Sequence, residues 1–129
     1  VRLFLLAAVI LSVCASAPGQ RKKKPADVEV LETKARRVEG RITLDGRVRF
    51  TGERPTRGLV IIFDFLSPER EVVTSQKTQV ADGVVRAGQE ASYRTELVDP
   101  VRAISYQVRA VGAGERDLRV ANPGPYPIE

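Results

Sequence analysis

The chain has no histidine, no methionine and no tryptophan, and its single cysteine, Cys14, lies inside an apolar N-terminal stretch. A form that loses that stretch through Cys14 carries neither a thiol nor an imidazole. Ser–His and Cys–His catalysis, zinc sites built from His and Cys, and haem ligation are thereby excluded. Disulfides are excluded too, so cysteine usage does not report the redox compartment. Acidic residues fall short of basic ones, 16 against 21, and the resulting formal charge of +5 mildly favours anionic partners without demanding them. No Asp-x-Asp-x-Asp spacing suits calcium, no window has helical period, and no two candidate acid–base residues lie together. These absences predict a protein that is not an enzyme and holds no cofactor or metal.

What is present is a set of short strand-like patches. The most apolar run after the N-terminus is Gly58–Pro68. In an extended chain Leu59, Ile61, Phe63 and Phe65 fall on one face and Val60, Ile62 and Leu66 on the other. A strand that is apolar on both faces needs cover on both, which predicts a central place in its sheet. The length of 129 residues suits one domain able to bury a core without staples.

The start of the chain reads as an export signal. Val1-Arg2 precedes an apolar run and the small residues Cys14-Ala-Ser-Ala17, the pattern of a secretory signal peptide over residues 1–17. The run falls short of the roughly 17–25 residues of a transmembrane helix. The expected location is therefore exported: periplasmic, extracellular or membrane-anchored. In a second reading, Leu11-Ser12-Val13-Cys14 resembles a bacterial lipobox and makes Cys14 a lipidation site. In a third, the signal stays uncleaved as an anchor. Residues 18–37, with Arg21-Lys22-Lys23-Lys24, read as a basic flexible linker, although positive charge directly after the apolar run opposes its translocation. Within it Val28 and Val30 alternate with Asp27 and Glu29 as a short edge strand would, and Leu31 breaks the alternation.

A sandwich is expected over residues 38–121. Val38–Leu44 and Arg47–Thr51 flank Asp45-Gly46, a hairpin signal, and the phase of Ile42 and Val48 favours a bulged loop at Leu44-Asp45-Gly46. Glu71–Val80 reads as a polar edge strand with Val72, Thr74, Gln76, Thr78 and Val80 on one face, ending at an Asp82-Gly83 turn. Ala91, Tyr93, Thr95 and Leu97 point inward on the next strand, and Ile104, Tyr106, Val108 and Ala110 on the one after. A last strand surrounds Leu118 and Val120. Seven or eight short strands separated by turn residues predict an antiparallel immunoglobulin-like β-sandwich, with a proline-rich extended tail over residues 122–129.

The pattern resembles the FxLYD-type domains, immunoglobulin-like sandwiches of bacterial extracytoplasmic proteins. The Phe-x-Leu-Tyr-Asp motif falls on Val60, Ile62, Phe63 and Asp64, of which the Asp is identical. A downstream Leu-x-Pro-Gly-Glu reads here as Val85-Arg86-Ala87-Gly88-Gln89, followed by Ala91 and Tyr93. The resemblance spans Val38–Val111. It implies a cell-envelope module and supplies no catalytic residues.

Three features are candidates for function. Asp64 reads as a structural acid capping the turn after its strand. Arg41, Arg47 and Arg49, with Arg37 beside them, would form a basic strip facing another envelope protein or an anionic envelope surface. Nucleic acid is disfavoured, because aromatics suited to base stacking do not interleave with these arginines. In the tail, Pro123, Pro125 and Pro127 hold an extended backbone that projects Tyr126 and Ile128 to one side, either onto the domain's own edge or into a partner's groove. The expected function is a non-catalytic exported binding module of the bacterial cell envelope, with a lipoprotein tethered through Cys14 as the alternative.

Overall fold

The computed structural model describes residues 25–129. The expected signal peptide, Cys14 and the Arg21–Lys24 cluster lie outside the described residues. Among those described, six long strands build an all-β sandwich of two sheets: β1 (Val28–Val38), β2 (Arg41–Phe50), β3 (Thr56–Leu66), β4 (Val72–Val85), β5 (Glu90–Val98) and β6 (Ser105–Val111). Three two-residue strands follow, β7 (Asp117–Leu118), β8 (Val120–Ala121) and β9 (Tyr126–Pro127). The first sheet has the order β5-β2-β1-β8. In the second the order is β4-β3-β6, with β7 and β9 both on the free edge of β6. All pairings are antiparallel except β1 with β8.

β3 is central in the second sheet, as its two apolar faces demand. Leu59, Ile61, Phe63 and Phe65 are buried between the sheets. On its outer face Ile62 and Leu66 are buried as well. Ile62 is flanked by Lys77 and Arg109, whose aliphatic stems can cover it while their charges stay in water. The core runs through Val28, Ile42, Leu44, Val48, Phe50, Tyr106 and Val108. Phe63 joins the sheets by packing on Tyr93 of β5 at 5.1 Å between ring centroids.

Four expectations are corrected. Residues 28–37, assigned to the linker, belong to an eleven-residue strand, Val28–Val38, that pairs with β2 along its length. Leu31 is out of phase because it is a β-bulge: pairing passes from Val30↔Val48 to Glu32↔Arg47. The inward set thereby shifts from Val28 and Val30 to Thr33 and Ala35.

Asp45-Gly46 is not a turn. It lies inside β2, and Leu44 beside it is a fully buried core residue. The hairpin closes instead at Glu39-Gly40, both at positive φ (48° and 78°), the backbone that two-residue hairpin loops need. Asp82-Gly83 likewise lies inside β4, where register shifts against Arg57–Val60 absorb the irregularity. Ile104 precedes its strand and is 51% exposed rather than inward.

The last segment, comprising the expected final strand and the proline-rich tail, laces the sheets together. It pairs with β6 at β7, crosses to β1 at β8 and returns to β6, where the Val108 amide donates to the Pro123 carbonyl at 2.9 Å. At β9 it pairs with Ser105 and Tyr106, and at Glu129 it crosses again to bond the backbones of Ala35 and Arg37. The opposite side of the sandwich is left to the edges of β4 and β5. Gln76 of the former donates to Thr95 Oγ1 of the latter at 3.3 Å.

Candidate functional site

Arg41, Arg47 and Arg49 do project from the outer face of the first sheet, since β2 alternates with period two. Arg47 and Arg49 meet carboxylates from the strands on both sides, and Arg41 meets one from β5. Arg41 lies 2.9 Å from Glu96; Arg47 lies 2.7 Å from Glu90 and 3.3 Å from Glu32; Arg49 lies 3.2 Å from Glu90 and 3.6 Å from Glu29. The register makes this inevitable: Arg49 is paired with Glu29 and Glu90, and Arg47 with Glu32. Where the central residue is acidic, at Asp45, its neighbours are Lys34 and Arg94. The central strand thus carries charge opposite to its flanks. Glu32, through its hydrogen bond and its charge, holds the Arg47 guanidinium above its ordinary pKa. The strip is a compensated charge ladder rather than a bare cationic surface. Exposed pairs of this kind add little to stability because solvent screens them, so they pin register more than they stabilise. Arg37 is diverted to the Asp99 carboxylate, at 3.0 and 3.1 Å, and to the Ala103 carbonyl.

Tyr126 and Ile128 are turned onto their own domain. The Tyr126 ring packs against Tyr106 at 5.6 Å, and its hydroxyl donates to the Asn122 carbonyl. Burial raises the pKa of this phenol. The Ile128 amide donates to the Ile104 carbonyl at 3.1 Å, and its side chain packs on the core. Of the two placements open to the tail, the structure shows the internal one.

Asp64 is buried, but it does not cap the following turn. It accepts from Ser75 Oγ at 2.6 Å and from Arg109 Nη2 at 3.0 Å and Nε at 2.5 Å, all cross-strand partners. Burial pushes its pKa up, but the Arg109 and Ser75 hydrogen bonds and the Arg109 charge outweigh this and hold it below the ordinary value. The turn is capped by Ser67, whose Oγ accepts from the amides of Glu69 and Glu71 at 3.2 Å each.

Two groups of residues stand out that the sequence reading passed over. Thr33 Oγ1 accepts from Tyr93 Oη at 2.6 Å and lies 2.8 Å from Tyr106 Oη, so one hydroxyl satisfies two phenols between the sheets. Its signal was available in the alternation that resumes after the Leu31 bulge. The second group is apolar and exposed. Of the seven large apolar side chains exposed among the described residues, Val38, Val72, Val73, Val98, Val101 and Ile104 gather at one end of the sandwich. Only Val84 lies at the other.

Among the described residues no three His, Cys, Asp or Glu side chains gather as a metal site would require, and no helix is long and apolar enough to cross a membrane. No family model matches the chain, and no curated protein does. Among solved structures it is similar to part of a beta-glucosidase from Kluyveromyces marxianus. In the selenomethionine-labelled crystal the match has 15% identity and a TM-score of 0.36, and in the complex with glucose 12% and 0.35. Each match covers 81% of this chain but only 14% of the enzyme.

Proposed function

We propose that this protein is an exported, non-catalytic interaction module of the bacterial cell envelope, held by its N-terminal segment and docking on another protein through the far end of the sandwich. One observation carries this reading: the end-to-end layout. Residue 28 pairs with Phe50 and Val120 at one end, so residues 1–27 join the domain there. The exposed apolar cluster lies at the other end, where β1 turns into β2. The two are separated by the length of β1, about 35 Å at roughly 3.3 Å per residue. Large apolar side chains exposed together at one end of a domain make that end a candidate for protein docking. The ladder around Arg41, Arg47 and Arg49 favours a protein partner over an anionic surface at that face, because these three cations are already paired with carboxylates. The full use of Asp64 by Ser75 and Arg109 leaves that carboxylate no spare role in proton transfer. The signal-like residues 1–17 support export.

The lipobox-like Leu11–Cys14 favours a second form of the same reading, in which Cys14 is acylated. Intact mass of the protein recovered from its native cell fraction tests both. A start at Ser16 or Pro18 in the exported fraction is the expected result. A start at Cys14 with added acyl mass establishes the lipid-tethered form. An unprocessed chain in the cytosol overturns the proposal.

A further inference from the structure

The outer face of the first sheet does not carry its charge evenly. Register sets its side chains in rows across β1, β2 and β5. At the end where residue 28 enters, the rows Glu29–Arg49–Glu90 and Glu32–Arg47–Ser92 hold three acids and two bases. Toward the β1–β2 turn the rows are Lys34–Asp45–Arg94, Arg36–Thr43–Glu96 and Val38–Arg41–Val98, with four bases and two acids. The face is therefore slightly acidic at one end and basic at the other.

The basic half is also where cations are left over. Arg41 is held by Glu96 at 2.9 Å. Lys34, Arg36 and Arg94 are exposed and form no ion pair among the described residues, although Asp45 lies beside two of them. All three line one shallow cavity of about 250 Å³, together with Val38, Thr43 and Asp45. Asp45 offsets one of the three charges, so the cavity keeps a net +2. A concave site concentrates the field of such a charge more than a flat face does. Val38 closes the cavity on the turn side, and across Arg41 from it stands Val98; they are 53% and 72% exposed. Apolar and cationic groups thus lie side by side on one face of one sheet.

The spacing of the rows selects a shape of ligand. Successive rows lie two residues apart along the strands, about 6.6–6.8 Å. Alternate side chains of an extended peptide repeat at the same distance. We infer that this cavity and the valine row beside it take an extended acidic segment of a partner protein, with acids at i and i+2 and an apolar residue at i+4. The inference rests on the docking role proposed above and names the chemistry of what docks. The first acid meets Lys34 and Arg94, the second meets Arg36, and the apolar side chain lies on Val38 and Val98. An anionic membrane or a long polyanion would cover both halves of the face, and Glu29, Glu32 and Glu90 would repel it. A short acidic segment can stop at the boundary.

Fluorescence anisotropy of a dye-labelled peptide Glu-Ser-Glu-Ser-Val-Ser-Glu-Ser-Glu, which reads the same in both directions, tests this against the protein isolated from its native fraction. Binding should saturate, and should weaken severalfold between about 50 and about 500 mM salt. Arg36→Gln with Arg94→Gln should weaken it about tenfold, and Val98→Ser severalfold. Arg70→Gln removes a cation of the β3–β4 turn, which belongs to the other sheet, and should leave binding unchanged. Circular dichroism establishes that each variant is folded. No saturable binding at millimolar peptide overturns the inference. So does equal sensitivity to Arg70→Gln, which would mean that the peptide senses net charge alone, and so does equal binding of the peptide with serine in place of valine. If the protein ignores the peptide but co-sediments with phosphatidylglycerol vesicles, and the double arginine variant abolishes this, the cavity is a lipid contact and the inference fails. None of these outcomes bears on export, which intact mass decides separately.

Discussion

The Tyr93 hydroxyl lies directly over Gly46, so close that a Cβ at position 46 would stand 2.5 Å from its oxygen and 2.2 Å from the Glu32 carbonyl. Gly46 therefore serves packing, not a turn. Gly46→Ala should destabilise the fold by about 1–3 kcal/mol, the usual cost of overfilling a packed site. Gly83→Ala, where a Cβ meets nothing within 4 Å and φ is not positive, should stay within about 0.5 kcal/mol. Urea midpoints at unchanged slope measure both.

Thr33 satisfies Tyr93 and Tyr106 together. Thr33→Val keeps the shape and strands two buried phenols, at about 1–3 kcal/mol. Burial raises the pKa of both tyrosines in the folded state, against about 10 when unfolded. Their contribution is therefore complete below about pH 10 and is lost as pH rises beyond it toward the folded values. The fold should weaken above pH 10, and Tyr93→Phe should flatten that decline. Alkaline titration followed by far-ultraviolet circular dichroism reads it.

Asp64 has the opposite sign. Its folded pKa is depressed, so its contribution is present above the unfolded carboxylate value near 4 and is lost as pH falls through the lower folded one. Asp64→Asn should cost about 1.5–3 kcal/mol at pH 7, the range for hydrogen bonds to a charged group. The penalty should shrink below pH 4, where the wild type loses the same interaction. Parallel urea titrations at pH 7 and pH 3 compare the two.

The sandwich class, the central strand and the inward sets Leu59–Phe65 and Ala91–Leu97 were legible because period two survives wherever a strand is regular. The misreadings share a cause. Asp45-Gly46 carries the composition of a hairpin, but its glycine answers to a tyrosine forty-seven residues away, which local pattern cannot register. β1 was hidden by the Leu31 bulge, which inverts the alternation halfway. The arginines of β2 looked like a cationic strip because Glu29, Glu32, Glu90 and Glu96 reach them only through pairing across strands. The apolar end was invisible for the same reason: its valines are scattered over four segments that only the turns bring together.

The tail offers the sharpest choice between a structural role and a binding one. Were Tyr126 held out for a partner, its removal would leave the fold as stable as before, within about 0.5 kcal/mol. Its ring instead lies on Tyr106, which is fully buried and bonded to Thr33. Tyr126 is only half-buried, so Tyr126→Ala should cost less than the 3–5 kcal/mol of a core aromatic, about 1–3 kcal/mol. The effect should also be local. The Val108 and Arg37 amides donate to the Pro123 and Glu129 carbonyls, so their hydrogen exchange should quicken in the variant. The amides of Ile61 and Phe63, held between β4 and β6, should stay protected to the full unfolding free energy that remains. Exchange that accelerates equally at all four positions would mean that the tail unfolds only with the whole domain, as one of its strands rather than as a clasp upon it.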